Sequence, residues 1–133
     1  MNVVALTELT LLFLAPMKAR SMGYILNVAS VGGFLPVPGY ATYGAGKAYV
    51  RNFTEALAEE CRGTGVSLTA LCPGPIRTEF AETAGHHLAP WQEAAYAPVG
   101  PCARAALKGL YRNKRVVVPG ILMKLSTFSL LFI

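Results

Sequence analysis

The chain has 133 residues, a formal net charge of +5, and 53% hydrophobic against 14% charged residues. That length fits one domain or a piece of one. The composition excludes a disordered chain, because disordered segments are too poor in apolar residues to repay their ordering entropy. Ordinary domains carry about 25% charged residues, so we expect a partner or further sequence to cover part of the apolar surface.

The basic excess does not indicate a nucleic-acid partner. Apart from a group within residues 108–115, the basic residues are scattered, and no aromatic residues alternate with them as single-strand binding requires. The three cysteines show no paired spacing, so neither a disulfide framework nor a zinc site is indicated. We expect reduced thiols in a cytoplasmic protein that binds no metal.

The first third of the chain reads as a helix, a strand and a loop. Apolar residues at helical spacing predict a helix over residues 3–20. Its predicted packing face consists of Val3, Leu6, Leu9, Phe13 and Met17. Residues 24–29 are a mostly apolar run, typical of a strand that is buried on both faces of a parallel sheet. Prolines and a glycine predict a loop over residues 34–41.

A long helix is predicted over residues 43–62, followed by a strand over residues 66–71. The apolar stripe of this helix, which we assign to the core or to a subunit interface, comprises Val50, Phe53, Leu57 and Cys61. Residues 76–100 have little periodicity and contain His86 and His87. Long irregular segments inside domains are usually functional, so we interpret this one as a substrate lid.

A further helix is predicted over residues 101–113, then a strand over residues 115–118. The predicted packing face of the helix consists of Ala103, Ala106, Leu107 and Leu110. The apolar tail over residues 121–133 predicts a helix that is too short to cross a membrane, although it could lie on one.

Strands that alternate with helices predict an α/β fold with a parallel sheet and right-handed crossovers. We assign residues 1–120 to this domain and residues 121–133 to the tail. Three strands make a small sheet with at least one unpaired edge, where we expect missing strands to pair.

Ser30, Tyr43 and Lys47 form the group of residues that carries chemistry. Ser30 follows a buried strand, and Tyr43 and Lys47 are four residues apart at the start of a helix, so their side chains share one face. In an open α/β sheet, ligands bind at the carboxyl ends of the strands. An ammonium close to a phenol favours the phenolate form, which suits the phenol to acid/base catalysis.

These residues resemble the short-chain dehydrogenases/reductases, whose central motif is Tyr-x-x-x-Lys with a Ser thirteen residues earlier. Tyr43, Lys47 and Ser30 match that pattern. Asn2, before an apolar helix, resembles the fourth catalytic residue of the family. The segment over residues 73–78 resembles its Pro-Gly-x-x-x-Thr loop. Together these features cover residues 2 to about 118.

The resemblance implies a role for each matching residue. Tyr43 would be the general acid in carbonyl reduction and the base in alcohol oxidation, and Ser30 would polarise the carbonyl. Lys47 would assist Tyr43 and hydrogen-bond the nicotinamide ribose, and Asn2 would anchor a water in a proton relay. The remaining nicotinamide contacts would be Pro73, Gly74, Ile76 and Thr78.

The resemblance covers only the carboxyl-terminal half of a Rossmann-like, doubly wound sheet. The Gly-rich turn that binds the pyrophosphate is absent, so we expect the fragment to be inactive alone. The implied cofactor is NAD or NADP, with NADP favoured, and the whole protein would be a homo-oligomer. We expect a small alcohol or carbonyl substrate of apolar character, because residues 79–100 include Phe80, Leu88, Trp91 and Tyr96. The alternative is a noncatalytic interaction or membrane-surface module.

Overall fold

A computed structural model describes residues 3–36, 38–76 and 96–129. The elements, in chain order, are α1 (Val4–Ala19), β1 (Gly23–Val28), one turn of 3-10 helix (Val31–Gly33), α2 (Ala41–Glu60), β2 (Val66–Leu71), α3 (Val99–Tyr111), β3 (Val116–Val117) and α4 (Ile121–Ser129). The strands form one sheet in the order β1-β2-β3, and both pairs are parallel. The predicted α/β fold with three parallel strands is therefore confirmed.

Helices cover both faces of the sheet. Leu14 of α1 and Leu57 of α2 pack with Leu68 of β2. Cys102 of α3 packs with Leu71 of β2. Because residues three apart on a strand point to opposite faces, α1 and α2 lie on one face and α3 on the other.

Strand β2 is the centre of the sheet. It pairs with β1 from Val66 to Leu71 and with β3 at its carboxyl end. Five of its six residues are buried. A central strand covered on both faces has no solvated side, so even the polar Thr69 is fully buried there.

The predicted packing faces of α1 and α3 are wrong in part. In α1, Leu9 is 53% exposed and Phe13 is 54% exposed, whereas Thr10 and Leu14 are buried. In α3, Ala103 and Leu107 are exposed. The buried residues of α3 are Cys102, Ala106, Gly109 and Leu110. In α1 apolar residues occur on nearly every side, and in α3 they extend beyond the buried face on both flanks of Arg104 and Lys108, so spacing alone does not select the buried residues.

Strand β1 is not buried on both faces as predicted. Tyr24 and Val28 are each about half exposed, and within the described residues the strand pairs with β2 alone. A depression of about 480 Å³ lies between α1 and β1. The exposure follows from position, because β1 is an edge strand here and a central strand would be covered by neighbours.

The structure describes the three cysteines and most of the apolar tail. Cys61, Cys72 and Cys102 are free thiols and all are buried. The apolar tail forms α4 over its described part. Among the described helices, none combines the length and the hydropathy that crossing a membrane requires.

Two glycines between α2 and β2 offer a direct test of the backbone geometry. Gly63 and Gly65 both have positive φ, at 79° and 77°. A Cβ at Gly65 would collide with the carbonyl oxygen of Ser21, whereas a Cβ at Gly63 would have no neighbour within 4 Å. We predict that Gly63→Ala lowers the free energy of unfolding by about 1 kcal/mol, the cost of left-handed backbone.

Gly65→Ala should cost roughly 1–3 kcal/mol more than Gly63→Ala, because the carbonyl of Ser21 must also move. Urea unfolding followed by circular dichroism measures both losses. Equal losses in the two variants would contradict the packing of Gly65 against Ser21.

Candidate active site

Ser30 lies at the carboxyl end of β1, where the chain turns toward α2. Its backbone is extended, with φ −168° and ψ 158°, and its Oγ accepts a hydrogen bond from the N–H of Gly32 at 3.1 Å. This bond starts the 3-10 turn as a side-chain cap does. Because Oγ acts there as acceptor, the hydroxyl hydrogen remains available to another oxygen.

The turn after Ser30 packs directly on the backbone of α2. A Cβ at Gly33 would lie 2.7 Å from the carbonyl carbon of Lys47, and one at Gly44 would lie 3.2 Å from the carbonyl oxygen of Gly32. At Gly33 only a residue without a side chain allows this approach. At Gly44 a Cβ would require the carbonyl of Gly32 to move by a few tenths of an ångström, so glycine fits the packing there although it is a poor helix former.

Tyr43 lies beside Ser30 across Gly32. A Cβ at Gly32 would lie 3.4 Å from Cε1 of Tyr43 and 3.6 Å from Oγ of Ser30. The ring and the hydroxyl therefore flank one point, the position beside Gly32 that a Cβ would occupy. Tyr43 is 48% exposed, so its ring is open to solvent. Tyr40 contacts it edge to face, with 6.5 Å between the ring centroids.

Lys47 connects α2 to the end of β1. Its Nζ donates a hydrogen bond to the carbonyl oxygen of Val28 at 2.9 Å and lies 5.8 Å from the ring centroid of Tyr43. Partial burial lowers the pKa of Lys47, because the ammonium is less well hydrated than in water. Lys47 is thus a more acidic ammonium than an exposed lysine.

Cys72 lies beneath this group. Burial raises its pKa to about 11, and the charge of Glu55 adds to that rise, while the charges of Arg51 and Lys47 and the backbone N–H of Ser30 oppose it only in part. The thiol is therefore neutral at pH 7 and contributes no negative charge beside Lys47.

Residues 73–76, which follow β2, are tied to the serine turn. The N–H of Val31 donates to the carbonyl oxygen of Pro73 at 3.0 Å, and the N–H of Ala97 donates to that of Pro75 at 2.9 Å. The side chain of Met123 in α4 lies against Gly74: a Cβ at Gly74 would lie 3.0 Å from Sδ of Met123. The loop is therefore held by backbone bonds on one side and by α4 on the other.

A buried polar group that the sequence prediction missed joins α1, β1 and α2. Nδ2 of Asn27 donates to Oγ1 of Thr54 at 3.0 Å, and the Asn27 amide lies 3.4 Å from Oγ1 of Thr10. Thr54 in turn donates to the carbonyl oxygen of Val50 at 2.7 Å. One amide inside an apolar run was the available signal, and its hydrogen bonds tie β1 to α1 and α2 three residues before Ser30.

The structure brings Ser30, Tyr43 and Lys47 together, with residues 73–76 beside them. Asn2 and Thr78 lie outside the described residues, as do His86 and His87. Within residues 3–36, 38–76 and 96–129, no three His, Cys, Asp or Glu side chains form a group that could hold a metal.

Comparisons with known proteins identify the family and the fold. The family model described as short chain dehydrogenase matches residues 1–89. A very-long-chain 3-oxoacyl-CoA reductase of Rattus norvegicus is 38% identical over 81 residues, which are 61% of this chain and 26% of that protein. An acetoacetyl-CoA reductase of Shinella zoogloeoides is 41% identical over 85 residues, 59% of this chain and 35% of its own length.

Solved structures match nearly the whole chain. A short-chain dehydrogenase from Sphingobium yanoikuyae in complex with NADPH superposes with a TM-score of 0.81 at 30% identity. The match covers 96% of this chain and 50% of that one. The chain therefore spans about half the length of this solved relative, and its matched segments span still smaller shares of the two reductases.

The thiol beneath the site predicts a specific pH dependence of stability. An unfolded chain loses the Cys72 proton near its ordinary pKa of 9.0, whereas the folded chain keeps it to about 11. The unfolded state therefore binds fewer protons in this window, and the free energy of unfolding falls as the pH rises through it. We predict that the titration of Cys72 lowers the free energy of unfolding by about 2 to 3 kcal/mol between pH 8 and pH 11.

Urea unfolding of the unmodified protein and of Cys72→Ala at both pH values isolates this contribution, because other titrating groups act equally in both proteins. The unmodified protein should lose more stability than the variant. An identical loss in the two would contradict the buried, protonated thiol.

Proposed function

The chain belongs to the short-chain dehydrogenase family, and we propose that the protein carrying it is an oxidoreductase that interconverts an alcohol and a carbonyl with a nicotinamide cofactor. One observation carries the proposal. The Ser30 hydroxyl and the open Tyr43 ring flank one point at the carboxyl end of β1, and the Lys47 ammonium lies beside that ring. Hydroxyl and ammonium donors are the groups that proton transfer to a carbonyl oxygen requires.

The proposed proton chemistry uses these three side chains. In reduction, Tyr43 gives its proton to the carbonyl oxygen, and in oxidation it takes the proton back. Ser30 donates a hydrogen bond to the same oxygen, and this polarises the carbonyl. The charge of Lys47 stabilises the phenolate that Tyr43 becomes, and Asn2 anchors a water for the proton relay.

The residues present fit a nicotinamide. The carboxyl ends of the parallel strands β1 and β2 lie at the same end of the sheet, where ligands bind in open α/β sheets. Ser30 follows one strand and Pro73 follows the other. Tyr43 and Lys47 would hold the ribose, and Pro73, Gly74, Ile76 and Thr78 would hold the ring and its carboxamide. The cofactor supplies the hydride, and the protein supplies position and protons.

NADP is the favoured cofactor, because a solved relative at 30% identity is in complex with NADPH. The name of one similar reductase specifies very-long-chain 3-oxoacyl-CoA, whose acyl chain is apolar although its CoA part is charged. Phe80, Leu88, Trp91 and Tyr96 of the proposed lid would contact the apolar part of such a substrate. We propose a small-molecule carbonyl or alcohol of apolar character, a cytoplasmic location and a homo-oligomeric assembly.

The remainder of the proposed domain would pair with β1. Within the described residues this strand has one neighbour, and beside it Leu9, Phe13, Tyr24 and Val28 are each about half exposed or more. Further parallel strands would complete the edge and cover these side chains. We propose that residues 1–120 are the carboxyl-terminal half of the domain, followed by the tail over residues 121–133, and that the other half carries the Gly-rich cofactor turn.

Substitution of Tyr43 tests the catalytic assignment. In the full-length protein, Tyr43→Phe removes the proton donor and keeps the ring, so kcat should fall by about 10²-fold or more. Tyr40→Phe is the matched control, because Tyr40 is similarly exposed and lies beside Tyr43. Equal activity of the two variants would contradict the assignment.

Cofactor titration separates the oxidoreductase from the alternative, a noncatalytic interaction or membrane-surface module. We predict that the full-length protein binds NADPH, whereas residues 1–133 alone do not bind it at millimolar concentration. Protein fluorescence or calorimetry measures both. Absence of binding to the full-length protein would favour the noncatalytic alternative.

A further inference from the structure

Helix α4 presents apolar side chains to solvent. Ile121 is 80% exposed, Leu122 is 82% exposed and Leu125 is 61% exposed. The inward side instead carries Thr127, which is buried, and Met123, which lies against Gly74. A surface helix normally turns its apolar side toward the protein core. The outward apolar face of α4 therefore favours contact with an apolar environment outside the protein.

A basic cleft lies beside this face. It measures about 210 Å³ and is bordered by α3, β3 and α4. Its charged lining residues are Lys108, Arg112, Lys114 and Lys124, and no carboxylate is among its described lining residues. A neighbouring groove of about 800 Å³, to which Lys124 also contributes, includes Glu55. Lys124 belongs to α4 itself, so the apolar face and the cations are parts of one surface.

Two carboxylates of α2 take part in ion pairs with arginines outside the cleft. Glu55 pairs with Arg51 at 3.5 Å, and Glu59 pairs with Arg62 and Arg115. In the described part of the chain, none of the four cations of the cleft takes part in an ion pair. Among the described residues, then, no carboxylate neutralises these cations.

We propose that α4 and the basic cleft dock the protein on the surface of a membrane that contains acidic phospholipids. An exposed apolar helix face flanked by lysine and arginine is the arrangement that binds at such interfaces: apolar side chains enter the headgroup boundary while cations meet lipid phosphates. The cleft and β3 lie at the opposite edge of the sheet from β1. Strands that pair with β1 would therefore leave this surface open.

The proposal goes beyond the oxidoreductase function and does not depend on it. Docking also has a local consequence, because Met123 of the same helix contacts Gly74. The loop over residues 73–76 would be held by a helix whose outer face rests on lipid.

Vesicle sedimentation tests the proposal on the full-length protein. Vesicles of phosphatidylcholine with added phosphatidylglycerol are compared with vesicles of phosphatidylcholine alone. We expect binding to the acidic vesicles that weakens with salt, since exposed charges are screened. Lys108→Gln with Lys124→Gln should weaken it roughly fivefold for each lysine. The matched control, Lys18→Gln with Arg20→Gln, removes equal charge from α1 and should leave binding unchanged.

A second variant separates insertion from simple charge attraction. Leu122→Lys adds a cation and removes an apolar side chain that is almost fully exposed, so folding should be intact. We expect it to weaken vesicle binding about tenfold or more despite its added charge. Stronger binding would overturn the proposed insertion.

Three other results would also overturn the proposal: no binding to acidic vesicles, equal weakening by the control, or full displacement by soluble phosphate. Displacement would make the cleft a site for a soluble anion. None of these readouts uses turnover, so failure here leaves the oxidoreductase proposal standing.

Discussion

The close approach of the serine turn to the first turns of α2 is the constraint on which the rest of the site depends. Gly33 lies where a Cβ would strike the backbone of Lys47, and Gly44 lies where a Cβ would press on the carbonyl oxygen of Gly32. With both side chains absent, the strand end and the helix share one small volume. Ser30 and Tyr43 then flank a single point, and Lys47 reaches back to the carbonyl of Val28.

Buried groups below this volume hold it in place. The Asn27 amide bonds to Thr54, and so fixes β1 against α2 without charge. Such a hydrogen bond is costly to break, because each partner would be left buried and unsatisfied. The neutral Cys72 thiol fills the space beneath Ser30. The polar side chains at the surface of the site therefore lie above a buried, hydrogen-bonded layer.

Local patterns in the sequence predict the elements and the central group well. Ser30, Tyr43 and Lys47 come together as their spacing indicates, because strand end, turn and helix start follow one another directly. The packing faces are harder to predict. In α1, apolar side chains surround the helix, and only the tertiary fold decides that Leu14 is buried while Phe13 is exposed. The role of Asn27 also depends on partners from two other elements, and no local pattern identifies them.

The most direct test of the account is a crystal structure of the full-length protein with NADPH. The account predicts that the nicotinamide lies between Ser30 and the loop over residues 73–76. Tyr43 Oη and Lys47 Nζ should both lie within hydrogen-bond distance of the ribose. A nicotinamide bound away from these residues would contradict the account. So would a Tyr43 hydroxyl that points away from the nicotinamide ring.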